Sequence, residues 1–170
     1  MAAAAVCAFA GAGYDLRRGR IPNWLSYGGL GLGLAARAAL GGWRGEMDGL
    51  LGALAGAGLL LAFFLRGGMG GGDVKLMAAV GALAGTQRSL QILLSTGLAG
   101  GLMAAAAMLA RRRVRRTLGN TWKLLRFHLN PRLRPHPELN LGAPGAFRLP
   151  YAVAIALGTA ACLLLKTGWR

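Results

Sequence analysis

Two carboxylates set in a strongly apolar chain are the side chains here best placed to do chemistry. Asp73 lies in Gly70-Gly71-Gly72-Asp73-Val74-Lys75-Leu76, and Asp15 closes the first apolar run, ahead of Leu16-Arg17-Arg18-Gly19-Arg20-Ile21-Pro22-Asn23. An acid among residues suited to lipid is costly, and so marks a functional site by default. If two such carboxyls share one water, both cannot ionise cheaply; one keeps its proton while the other acts as base. That pair activates water for peptide hydrolysis and needs no metal. The glycines before Asp73 remove side-chain bulk, so another peptide can come close to the carboxylate. Lys75 has three readings: it lowers a carboxylate pKa, it steadies a substrate backbone, or it is a positive residue at a helix end.

The remaining candidates are weaker. Glu46 and Asp48 share a short polar segment with Arg44 and read as solvated loop charges. Cys7 and Cys162 lie in separate apolar segments, which suggests neither a disulfide framework nor a zinc site. His128 and His136 fall in a basic region with no second ligand motif. No metal and no cofactor are expected.

Positioning these acids falls to helices in a bilayer. Of the 170 residues 55% are hydrophobic and 29 are glycine, and the mean hydropathy is +0.47, well above what a soluble domain of this length needs. The expected fold is all-α, a polytopic membrane protein of about six transmembrane helices forming a single domain over 1–170. The apolar runs are 1–14, 23–40, 50–65, 74–85, 90–110 and 150–165, with polar connections at 41–49 and 86–89. The first run is short, about 21 Å of helix against a hydrocarbon core of roughly 30 Å. Pro22 suits the first turn of the second helix, with Asn23 and Trp24 at the interface. Glycines 28, 29, 31 and 33, then 52, 56 and 58, are expected to form packing faces.

The net charge of +15 does not argue for nucleic acid, because the basic residues gather at the ends of apolar runs. On the alternating topology, fifteen of the twenty Lys and Arg fall on the side of Asp15 and Asp73, which makes that side cytoplasmic. Ten of them lie in the basic loop 111–149. There Leu118, Trp122, Leu125 and Leu129 recur at helical spacing, so an amphipathic helix over 111–129 is expected on anionic lipid.

Asp15 with Ile21-Pro22-Asn23, the G-x-G-D-x-K-L pattern of Gly70, Gly72, Asp73 and Lys75, and the Leu149-Pro150-Tyr151 opening of the last helix together resemble the type IV prepilin peptidase family. The resemblance implies that Asp15 and Asp73 are the catalytic pair, with Ile21, Pro22, Asn23, Gly70, Gly72 and Lys75 as supporting motif residues. It also implies cleavage of basic prepilin leaders at the cytoplasmic face of a bacterial inner membrane. Larger members carry paired C-x-x-C zinc ligands in an insert associated with N-methylation. This chain has none and resembles the short branch serving tight-adherence (Flp) pili. The alternatives are a proton or cation transporter using the acid pair, and a non-catalytic membrane protein of pilus assembly.

Overall fold

The structure, a computed structural model, describes residues 1–110, 119 and 150–165. The described residues are helical, with no strand among them: α1 (Ala2–Arg18), α2 (Asn23–Leu65), α3 (Gly71–Ala84), α4 (Thr86–Ala110) and α5 (Tyr151–Leu164). The amphipathic helix expected over 111–129, and His128 and His136, lie outside the described residues.

Helix boundaries follow local chemistry. α1 stops where Gly19 turns left-handed (φ 61°) and its N–H donates to the Asp15 carbonyl at 2.7 Å, a helix end that favours glycine. Pro22, Gly70 and Pro150 precede α2, α3 and α5 with non-helical backbone.

α2 has 43 residues, but it is a hairpin. Gly42 leaves helical geometry (φ 55°, ψ −146°), a conformation open mainly to glycine. The contacts along α3 then run in opposite senses. In the arm before Gly42, Gly29 faces Ala79 and Gly33 faces Ala82; in the arm after it, Gly49, Gly52 and Gly56 face Ala82, Gly81 and Met77. With each arm of α2 counted separately, the segments of α1 to α5 among the described residues alternate in direction.

α3 is the centre of the bundle. Leu76, Met77, Ala79, Val80 and Ala82 are buried, with α2 holding it most extensively and α5 packing against both α1 and α4. Small residues make the inner contacts possible. A side chain on Gly52 would collide with the Gly81 carbonyl, and one on Gly81 with the Gly52 carbonyl, so the two backbones meet directly. Large apolar residues point the other way: Leu32, Leu94, Leu98 and Leu102 are each at least 70% exposed. Small residues inside and leucines outside suit helices packed in lipid. α2 and α4 are long and apolar enough to cross a membrane, and the protein is membrane-associated.

Four expectations are corrected. The polar segment 41–49 is not a loop; the helical ladder resumes directly after Gly42. Residues 86–89 are the first turn of α4, the turn itself being Gly85. Asp48 is not a free solvated charge. It pairs with Arg37, its Oδ1 accepts from the Thr86 backbone N–H at 3.0 Å, and its carbonyl accepts from the Thr86 hydroxyl at 3.0 Å. Arg37 Nε also donates to the Ala82 carbonyl at 3.0 Å. Asp48 thus caps α4 from a distance and ties both arms of α2 to the α3–α4 turn, whereas Glu46 is exposed as expected. The small-residue faces are narrower than expected: of the seven glycines, Gly28, Gly31 and Gly58 have no neighbour within 4 Å of an added Cβ.

Two outcomes follow for stability in detergent. Gly52→Ala should destabilise by about 1–3 kcal/mol through overpacking, while Gly58→Ala should be neutral or stabilising by up to about 1 kcal/mol; thermal unfolding of the pair measures the difference. Asp48→Ala should cost about 1–2 kcal/mol from the lost cap, with Asp48→Asn costing less because its amide oxygen still accepts from Thr86.

Candidate active site

α1 supplies Asp15 from its last turn and α3 supplies Asp73 from its first. The two helices run antiparallel: a Cβ on Gly11 would lie 2.6 Å from Leu76 Cδ2. One turn further along α1 is Asp15, and three residues back along α3 is Asp73, so the carboxyls come level at one end of the bundle.

The segment between α1 and α2 then folds against the start of α3. A Cβ on Gly72 would lie 3.3 Å from Ile21 Cβ, and one on Gly70 would lie 3.1 Å from Asp73 Oδ2. Gly72 therefore makes room for Ile21 of this same chain, and Gly70 keeps space clear beside the carboxylate. Pro22 ends the segment in extended backbone (φ −64°, ψ 137°) and starts α2. At the first position of α2, Asn23 Oδ1 accepts a hydrogen bond from Lys75 Nζ at 3.1 Å, and one turn on, the Tyr27 ring centroid lies 5.1 Å from the same ammonium. Trp24 meets Tyr14 edge-to-face at 5.9 Å, and the Arg18 guanidinium stands over Tyr14 at 5.7 Å.

Between the end of α1, the start of α2 and the start of α3 lies an open cavity of about 250 Å³. Asp15 and Asp73 line it together with Lys75, Asn23 and Arg20, and Gly70, Gly72 and Ile21 form part of its wall. Of the expected catalytic and motif residues, all but Pro22 line this cavity, and Pro22 sets the direction of the chain beside it. A larger cavity, about 370 Å³, lies at the other end of the bundle by Arg88, Gln91 and Cys162 and contains neither acid. Among the described residues, no three His, Cys, Asp or Glu side chains gather to hold a metal ion.

Both acids lie beyond the apolar runs, and both are harder to ionise than usual. Burial pushes the Asp73 carboxyl up from 3.8 to about 7, with the charge of Asp15 adding to it and a hydrogen bond from the Gly70 backbone opposing it. Burial also raises Asp15. Near neutral pH the arrangement favours one proton shared between two carboxyls, the condition for acid–base work on a single water. One neighbour was not singled out as a site residue from the sequence. Tyr151, in the first turn of α5, stacks into the notch at Gly100, whose added Cβ would lie 2.8 Å from the ring, and it interacts electrostatically with Asp73. Only the tertiary pairing of α4 with α5 brings it there.

A family model described as the type IV leader peptidase family matches residues 2–105, a span holding both acids and both motifs. The chain belongs to the type IV leader peptidase family. No curated protein and no solved structure matches it. Membership makes this protein a peptidase, a hydrolase of prepilin-type substrates.

The raised proton affinity of Asp73 has a consequence for stability. Between its ordinary 3.8 and about 7 the folded protein holds a proton that the unfolded chain has lost, so this carboxyl makes stability fall as pH rises through that window. Asp73→Asn should therefore be more stable than the wild type at pH 8, on the order of 1–3 kcal/mol, with the gap closing below pH 4. Chemical denaturation at both pH values would show it.

Proposed function

We propose that this member of the family is an aspartyl endopeptidase that removes the leader of Flp-type prepilins, with Asp15 and Asp73 as its catalytic pair. The observation that carries the reading is the convergence of the two acids in one cavity, the harder of them to ionise sitting in the first turn of the central helix. The protein acts as a single domain over 1–170 with six membrane crossings. It lies in the bacterial inner membrane, its active site on the cytoplasmic side with the basic loop on anionic lipid. The excess of Lys and Arg on that side supports this orientation.

The chemistry needs only the pair and a water. Ionised Asp15 takes a proton from the water as its oxygen attacks the scissile carbonyl carbon, and Asp73 gives its proton to the carbonyl oxygen. The tetrahedral diol then collapses. Asp15 passes its proton to the amide nitrogen, the C–N bond breaks, and a diol hydroxyl returns a proton to Asp73. Peptide and water go in, acid and amine come out, and the pair is restored. Family membership favours this reading over transport by the acid pair, and a non-catalytic assembly role is separated from it by the mutants below.

Purified protein in lipid nanodiscs should cut a prepilin leader. Asp15→Asn and Asp73→Asn should each reduce cleavage by at least about a thousandfold while still inserting, the scale expected when one member of a concerted pair is lost. Cleavage retained by either mutant would sink the pair. Chelators should leave the rate unchanged, and mass spectrometry should find an unmethylated amino terminus on the product. Because Asp73 must hold a proton, kcat should decline as pH rises through about 7.

A further inference from the structure

Lys75 lines the same cavity, two residues after Asp73 on α3. Two helical residues advance about 200°, so the lysine leaves α3 on a different side from the acid and reaches α2. There its ammonium is held twice, by Asn23 Oδ1 at 3.1 Å and above the Tyr27 ring at 5.1 Å. Asn23 and Tyr27 are one turn apart and share a face of α2. No ion pair joins Lys75 to Asp15 or Asp73 among the described residues, and the proton affinity of Asp73 is set by burial, Asp15 and Gly70. The lysine is therefore not the counter-ion of the pair.

A lysine serving only as a positive residue at a membrane edge would be solvated and free to move. This one is fixed by an amide and an aromatic face, so part of its rotamer entropy is already lost before any ligand arrives. An ammonium has three N–H donors, and Asn23 takes one. A peptide lying across the acids presents a main-chain carbonyl at every residue, whatever its side chains.

We propose that Lys75, seated on Asn23 and Tyr27, is a substrate-binding residue that donates a hydrogen bond to a main-chain carbonyl oxygen of the bound peptide. This inference rests on the cavity being the peptide site. Its role is uniform binding: it holds the ground state and the transition state alike, and so acts on KM and leaves kcat to the acids.

The test uses the full chain in nanodiscs and a fluorescent synthetic leader peptide spanning the scissile bond. In an Asp15→Asn background, Lys75→Met should weaken peptide binding roughly ten- to a hundredfold, the range for a hydrogen bond to a charged group, and Lys75→Arg should weaken it less. In the active protein Lys75→Met should raise KM by a similar factor, with kcat within about threefold and the alkaline pH midpoint unmoved. Replacing peptide carbonyls one at a time by thioamides, which are poorer acceptors, should reveal one position that matters to the wild type and not to Lys75→Met. Unchanged binding in Lys75→Met would overturn the proposal, as would a fall in kcat with a shifted pH midpoint. If Lys75→Met does not fold, Asn23→Ala and Tyr27→Leu keep the lysine but loosen its seat, and each should raise KM several-fold; no change in KM for either overturns it equally. A wild type that binds the peptide but does not cut it would refute the peptidase reading and leave this binding role standing.

Discussion

How closely α2 approaches α3 governs the rest of this bundle. At Gly52 and Gly81 the two backbones touch with no side chain between them, and Gly33 and Gly56 continue the contact along both arms of the hairpin. Close approach lets a short helix be enclosed on nearly every side, and enclosure raises the proton affinity of the acid at its first turn. A wider groove would admit water along α3 and weaken the burial that raises Asp73.

Each end of α3 is fixed by a different device. At the cavity end, Ile21 fills the space left at Gly72 and Asn23 holds Lys75, so the segment between α1 and α2 and the glycine stretch are two halves of one joint. At the other end, Arg37 and Asp48 bind the turn into α4 through Ala82 and Thr86. The I-P-N and G-x-G-D-x-K-L motifs occur together because each supplies what the other lacks: the first a filler and an amide, the second a gap and an ammonium.

The acids and the helical segments were legible in the sequence because both signals are local. A carboxylate beside an apolar run stands out by composition, and the lengths of the runs separate one helix from the next. The role of Asp48 is not legible locally because its partners are Arg37 and Thr86, and nothing around residue 48 announces a cap for a helix 38 residues later. The segment 41–49 looked like a loop because its charges are those of a loop; only the backbone of Gly42 shows that one residue suffices for the reversal. Glycine faces were half legible for a similar reason. Gly28 and Gly29 are equivalent by composition, and the side of α2 that meets α3 is decided by a helix 50 residues further on.

The order in which the chain leaves the ribosome gives the hairpin of α2 a role in assembly. A helix of 14 residues reaches only about 21 Å, less than the hydrocarbon thickness of roughly 30 Å, and α3 begins with an acid. It is a poor candidate for stable insertion alone. Both arms of α2 are synthesised before it, so their glycine-lined groove is already built when α3 emerges and can receive it as a guest. On this order of synthesis the short central helix enters along a protein surface, and the cavity that holds Asp15 and Asp73 closes only once that late arrival has docked.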